Sequence, residues 1–323
     1  MTVDPAATAA ASATPAASGE PIGRIATAPP QAIFVDAGRI GWAHLAVTAA
    51  GPFDRRSFHL ANRLVGNAET ATAVEFLLGP LEISFHRAVT VAVTGITAEL
   101  SVSDCTRHTP SPRGHGATHT TVSLPAGVVL RVGTANSGLR GYLAIRGGFD
   151  APVTLGSRSS DTLAGLGPPP LRRGTPLLRQ PIATSTPRTW APIDTWHHAT
   201  QREPGRRSEP TVIAVHPPPR PIPAANVMHQ LTSTTWVIAP DSSRIGVRLT
   251  GGHIDLPRDP HTPSEPLIAG AIQLPPDGAP IIMGPDHPTT GGYPVIGVVR
   301  ESDLDLLAQL RPGAQVRLRL LST

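Results

Sequence analysis

Leu81, Ile83 and Phe85 alternate with Glu82, Ser84 and His86; Val89, Val91 and Val93 keep the same rhythm, as do Val122, Leu124, Val128, Leu130 and Val132. A period of two sends successive side chains to opposite faces of an extended backbone, so these runs predict strands rather than helices. The punctuation agrees, because 37 prolines and 31 glycines in 323 residues keep regular elements short. Further strands are predicted at Tyr142 to Ile145, Thr211 to Val215, Thr235 to Ile238, Gly246 to Leu249 and Ala271 to Leu274. Two more, Pro280 to Met283 and Val295 to Val299, flank the hexapeptide Thr289-Thr290-Gly291-Gly292-Tyr293-Pro294 as an expected hairpin, and Val316, Leu318 and Leu320 mark a last strand. Three helices interrupt the pattern. Asp54 to Val65 opens on an N-capping aspartate and stops at Gly66-Asn67; a second spans about Pro223 to Leu231; the third starts at Ser302, with Asp305 in a capping-box position, and ends at Pro312-Gly313. Many short strands with few short helices predict a mainly β chain of barrel or sandwich type.

Composition divides the chain. Residues 1–30 are almost all Ala, Thr, Pro, Ser and Gly, too poor in large apolar groups to offset the entropy of ordering, and are expected to be a disordered tail. Residues 31–167 form an N-terminal β portion, 168–210 a Pro/Arg-rich connector, and 211–323 a C-terminal β portion. The tail lacks the charged start and apolar run of a secretory signal, and no stretch is long enough to span a bilayer. There is no lysine: all 27 positive charges are arginine, against 23 acidic residues. No basic run is interleaved with aromatics, so nucleic acid is not an expected partner. The single cysteine, Cys105, excludes an internal disulfide framework and points to a reducing cytosol. No metal site is expected either. His197 and His198 lie in the connector without carboxylate or thiol partners at ligand spacing, and His115 and His119 are separated by glycine.

The longer motifs carry a resemblance. Gly38-Arg39, Gly51, Asp54, Ala61-Asn62-Arg63-Leu64-Val65-Gly66-Asn67 and Glu75 opening EFLLGPLEISF are followed by Gly138-Leu139-Arg140, YLAIRGGFD and LGSRSSD. DSSRIGVRLTGG from Asp241 comes next, and then SEPLIAGAIQLPPDGAPIIMGPDHPTTGGYPVIGVV, Ser264 to Val299. In this order they resemble the biotin-dependent carboxyltransferase family, whose members are also called the C-type subunit of 5-oxoprolinase, KipI antagonist and allophanate hydrolase subunit 2. The resemblance implies a cyclophilin-like β-barrel architecture and a heteromeric complex with two partners, a homologous KipI-like B-type subunit together with one of A type. The implied reaction is the ATP-dependent opening of 5-oxo-L-proline to glutamate. Carboxyl transfer to urea, and a non-catalytic role as antagonist of the sister protein, are the alternatives. With no lysine and no Gly-rich lysine loop, the chain carries neither a biotin-attachment site nor a recognisable ATP motif, so ATP is used by the assembled complex.

Candidate substrate-binding residues come from these blocks. Gly291 and Gly292 allow positive φ and a concave array of backbone N–H groups for a carboxylate or lactam oxygen, with Thr289 and Thr290 adding hydroxyls and Tyr293 a flat wall. Alternatively, the two glycines satisfy a tight hairpin. Gln273 is an amide inside an apolar run, which requires a partner or a cavity. Ser157 and Arg158 could meet a carboxylate, as could Arg39, Arg146 and Arg244, the alternative for each arginine being an ordinary surface ion pair; Asn62 and Glu75 are either network members or substrate contacts. No residue is singled out as the catalyst. Val35 stands where the family pattern has Gln, and His216-Pro217-Pro218-Pro219-Arg220 replaces its Gly-Pro block.

Overall fold

The computed structural model describes residues 17–104, 112–181, 209–220, 226–256 and 263–321. Cys105, Trp190, Trp196, His197, His198, the first 16 residues and most of the connector lie outside these. The mainly β expectation is met, with three α-helices: α1 (Arg55–Leu64), α2 (Val227–Ser233) and α3 (Glu301–Ala308).

The N-terminal portion is a two-sheet sandwich. One sheet has seven strands in the order Phe149–Asp150, Pro176–Arg179, Glu20–Thr27, Leu81–Phe85, Val128–Val132, Glu99–Asp104, Pro112–Ala117. The other has five: Ala32–Val35, Ala73–Leu77, Arg140–Ile145, Val89–Thr94, Thr121–Leu124. Their facing side chains, among them Ile25, Ile83, Phe85 and Leu130 from one and Phe34, Phe76, Val91 and Leu143 from the other, form a single core. Arg140–Ile145 is buried along its whole length, because its alternate side chains, Tyr142 and Ala144, meet α1 on the outer face through Phe58, Ala61 and Val65.

The C-terminal portion is a closed seven-strand barrel: Thr211–His216, Val295–Val299, Ala271–Gln273, Ile281–Met283, Gly246–Thr250, Thr235–Ile238, Gln315–Leu320. The parallel pairing of Thr211–His216 with Gln315–Leu320 closes it. Ile213, Trp236, Leu249, Ile272, Ile296 and Leu318 fill its interior.

Several expectations are corrected. Glu20–Thr27, expected in the tail, is an interior strand of the large sheet, paired with Pro176–Arg179 on one side and Leu81–Phe85 on the other. Only Ile22 and Ile25 of it need burial, which composition averaging conceals. Pro176–Arg179 likewise belongs to the sandwich rather than to a connector. The strands flanking the hexapeptide are not a hairpin: Ala271–Gln273 lies between them and pairs with both. Helix α3 has Arg300 as its N-cap, without a side-chain cap. Asp305, expected to close a capping box there, instead accepts from the Arg55 backbone N–H, 2.8 Å away, at the start of α1, where the free donors of a helix N-terminus require an acceptor. Asp54 caps α1 as expected, accepting from Ser57 N at 2.9 Å.

Candidate functional site

The two portions meet along a polar seam. Arg244, 0% exposed, bridges it, donating from Nη1 to Glu75 Oε1 at 2.7 Å and from Nε and Nη2 to the two oxygens of Asp286 at 2.9 and 2.8 Å. Its Nη2 also reaches Gly51 O at 2.6 Å. Glu75 additionally receives Arg140 Nη1, Phe53 N and Tyr142 Oη. Asp286 receives the backbone N–H and hydroxyl of Thr162. Burial pushes both carboxyls up, but the guanidiniums outweigh it and their pKa values end below the ordinary range. Burial pulls Arg244 down, yet the two carboxylates raise it overall. Gln309 sews the seam at another point, accepting from Leu139 N and Arg140 N and donating to Asp54.

Beside this seam opens a cleft of about 540 Å³, lined from both portions. The sandwich contributes the loop between its first short strand and α1, with Arg39, Trp42, Thr48, Phe53 and Arg55; the barrel contributes His216, Leu267, His287, Thr289 and Leu304. The loop is folded back on itself by Arg39 N, which donates to Ala49 O at 2.7 Å. Gly38 adopts φ +85° there, and a Cβ would lie 2.4 Å from Ala49 O, so only glycine fits. Asp36 holds the base of the loop, accepting from Gly38 N, from Ser157 and Ser159 hydroxyls and from Arg158 N. Ile40 and Ile268, 78% and 59% exposed, form an apolar rim.

The candidate residues separate into two groups. Arg39 and Thr289 line the cleft. Arg39 is 2% exposed; its Nη2 donates to Ser159 O, while Nη1 is buried with no partner. Burial lowers the pKa of this guanidinium, and Asp161, Asp36 and Asp286 offset that only in part. An arginine remains cationic regardless. Thr290, Gly291 and Tyr293 are not among the residues lining the cleft: Thr290–Gly291 pairs with Glu265–Pro266, and Tyr293, whose side chain is exposed, accepts from Gln273 Nε2 at its backbone O, 3.0 Å away.

The remaining candidates are committed within the chain. Neither Gly291 nor Gly292 adopts the positive φ that an N–H nest requires. Gly291 is needed for a close approach instead, since a Cβ would stand 2.3 Å from Gln273 Nε2. The Asn62 amide donates to Glu69 O and Ala71 O and accepts from Asn67. Ser157 donates to Asp36, and Arg158 pairs with Asp150. Glu75 and Arg244 are keystones of the seam, neither a surface pair nor free for a ligand. Sequence reasoning passes over His287 and Trp42, and notes His216 only as part of a departure from the family pattern. His287 lies two residues before Thr289 in the longest motif, and a search for paired histidines does not register a lone one.

Among the described residues no group of three or more His, Cys, Asp or Glu side chains is placed to hold a metal ion. No described helix is long and apolar enough to cross a membrane. The cleft is lined by two arginines (Arg39 and Arg55), two imidazoles (His216 and His287), two threonines (Thr48 and Thr289), Glu301 and apolar walls, a mixture that suits a small polar compound with an apolar body.

A model of the carboxyltransferase domain, subdomain A and B, matches residues 45–320. The C-type subunit of 5-oxoprolinase from Haemophilus influenzae is 28% identical over 308 residues, covering 90% of this chain and 89% of that protein. Its Escherichia coli counterpart is 30% identical over 287 residues, covering 87% and 85%. The urea amidolyase of Lachancea kluyveri is 31% identical over 299 residues, covering 87% of this chain but 16% of that protein. Among solved structures, the Kluyveromyces lactis urea amidolyase superposes with a TM-score of 0.80 at 27% identity, over 94% of this chain and 19% of that one. TTHA0988 does so with a TM-score of 0.76 at 28% identity, over 93% of this chain. The present chain spans 56% of the TTHA0988 chain.

Proposed function

The chain belongs to the carboxyltransferase-domain family, subdomains A and B, and from that premise we propose that it is the C-type subunit of an ATP-dependent 5-oxoprolinase, opening 5-oxo-L-proline to L-glutamate. The observation that carries this reading is the end-to-end match to two proteins named as the C-type subunit of 5-oxoprolinase, each covered over at least 85% of its own length. The cleft is compatible with it. Arg39 lines the cleft and its buried Nη1 has no partner in the chain, so its guanidinium is the group assigned to the carboxylate of 5-oxoproline, while Phe53, Leu267 and Leu304 accept the ring's methylenes. The apolar rim of Ile40 and Ile268 supports closure by a sister protein of B type, with the A-type partner and the nucleotide site elsewhere in the complex.

The test is co-expression with the A-type and B-type partners and an assay of ATP-dependent glutamate release. A verified, folded complex that forms no glutamate above background would remove the reading. A second reading, carboxyl transfer to urea, is favoured by the 31% identity to a urea amidolyase. It predicts turnover of urea with a biotin-carrying partner and none of 5-oxoproline.

A further inference from the structure

We infer that His287 is a catalytic residue of this cleft, with its Nε2 the base that takes a proton from the attacking water. This rests on the 5-oxoprolinase reading above and adds to it the group that performs the proton transfer. His287 lines the cleft and is 9% exposed. Its Nδ1 lies 2.7 Å from Pro288 O. A carbonyl oxygen can only accept, so Nδ1 carries the hydrogen, and in the neutral ring Nε2 is left with its lone pair. The contact that selects this tautomer also orients the ring.

The support beneath the ring is unusually fixed. The preceding residue, Asp286, is clamped by two bonds from Arg244 and two from Thr162. Asp286 N donates to Arg244 O at 3.1 Å, Gly284 N to Ile245 O at 2.9 Å, and His287 N to Gly284 O at 3.3 Å. A Cβ on Gly284 would stand 2.1 Å from Arg244 O, so the chain passes close to Arg244 there only because that residue is glycine. The imidazole is thus carried on a turn that these bonds tie to the seam, as proton transfer in a defined geometry requires. The charged and titratable groups around it are Arg39 and Arg55 from the sandwich, and His216 and Glu301 from the barrel side of the cleft. Arg55 and Glu301 pair with each other, and Arg244 with Asp286 lies below.

In the step assigned to it, water forms a bond from its oxygen to the lactam carbonyl carbon while its proton moves to Nε2. The carbonyl π pair shifts onto the lactam oxygen. The oxyanion pair then re-forms the C=O bond as the C–N bond breaks, and the imidazolium returns its proton to the departing ring nitrogen; water is consumed, an amine and a carboxylic acid form, the acid's proton passes to the amine, and the imidazole ends neutral.

The discriminating variant is His287→Asn, because an asparagine amide can keep the donor to Pro288 O while lacking a base at the Nε2 position. Folding and assembly are checked by circular dichroism and co-purification with the partner subunits. In the assembled complex the variant is expected to lose about 100- to 10,000-fold in kcat/KM, to lose the acid limb of the wild-type pH profile, and to regain part of its activity with added imidazole. Long-range proton–nitrogen spectra of the isolated wild-type chain are expected to place His287 in the Nδ1–H tautomer. An assembled His287→Asn complex within a few-fold of wild type with the limb intact overturns the assignment while leaving the 5-oxoprolinase reading standing, as does an Nε2–H tautomer. His287→Gln provides the same comparison if the asparagine variant does not fold. A wild-type complex that makes no glutamate overturns both.

Discussion

Replacing Arg244 with methionine keeps the apolar stem and removes the cation that joins the two portions. In the native chain Arg244 makes four hydrogen bonds at the seam, three of them to carboxylates: two cross to Glu75 and Gly51 O of the sandwich, and two hold Asp286 within the barrel portion. After the substitution Glu75 retains Arg140 at 3.3 Å, whereas Asp286 keeps only the two neutral donors of Thr162. A buried carboxylate stripped of its partner costs about 3–5 kcal/mol, a large part of the stability of an ordinary domain. The pH dependence gives the sharper signature. In the native chain Glu75 and Asp286 have depressed pKa values, so they contribute stability above the unfolded carboxyl range near pH 4, and lose it as pH falls through the folded values. In the variant burial dominates at Asp286 and its folded pKa moves above the unfolded one. The folded state then holds the extra proton, and stability falls as pH rises between the two. The penalty should therefore be largest near pH 8 and shrink towards pH 5. Urea unfolding followed by the fluorescence of Trp236, buried in the barrel, and by circular dichroism measures both the loss and any separation of the two portions into distinct transitions. Adding Asp286→Asn, which removes the unpaired charge while Glu75 stays as the partner of Arg140, should restore much of the loss. A penalty below about 1 kcal/mol at neutral pH, or one equal at pH 5 and pH 8, would show that the pairing of Arg244 is not what secures the seam.

Three other outcomes follow from the same contacts. Burial and the charge of Asp54 push the Asp305 carboxyl up to about 6, above its unfolded value, so this group makes stability fall as pH rises from about 4 to 6. Asp305→Asn, which keeps an acceptor for Arg55 N, should be more stable by about 1–2 kcal/mol at pH 8 and lose that advantage below pH 4; thermal melts at the two pH values decide it. Gly291→Ala must displace the Gln273 amide and its bond to Tyr293 O, at about 1–3 kcal/mol. Gly292→Ala has only Ser264 Oγ at 3.9 Å to meet and should stay within about 0.5 kcal/mol of wild type in urea melts. Arg39→Lys should raise KM for 5-oxoproline about 10- to 100-fold through loss of one charged hydrogen bond and erase any preference over 2-pyrrolidone, which lacks the carboxylate. An unchanged preference would separate Arg39 from substrate recognition.

What is legible in the sequence is local. The alternation at Leu81, Ile83 and Phe85, the aspartate before α1 and the ordered motifs specify strand faces, a helix start and a family, because each depends on neighbours a few residues away. Partnership is not legible. Glu75 and Arg244 are 169 residues apart, Gln309 and Asp54 255 apart, and a lone charge in a sequence does not say which opposite charge it will meet or whether it will be buried. The hexapeptide illustrates the same limit. Its glycines suggest a hairpin tip with free N–H groups, but barrel closure inserts Ala271–Gln273 between the flanking strands and turns Gly291 into a close-approach site. Arg39 emerges from both levels, while His287 becomes visible only once the seam places it, with His216, against a cleft. Strand and helix identity follow from short-range sterics and periodicity that any segment carries with it. The site exists only where the two β portions bury their charges against each other, and tertiary packing alone brings those groups together.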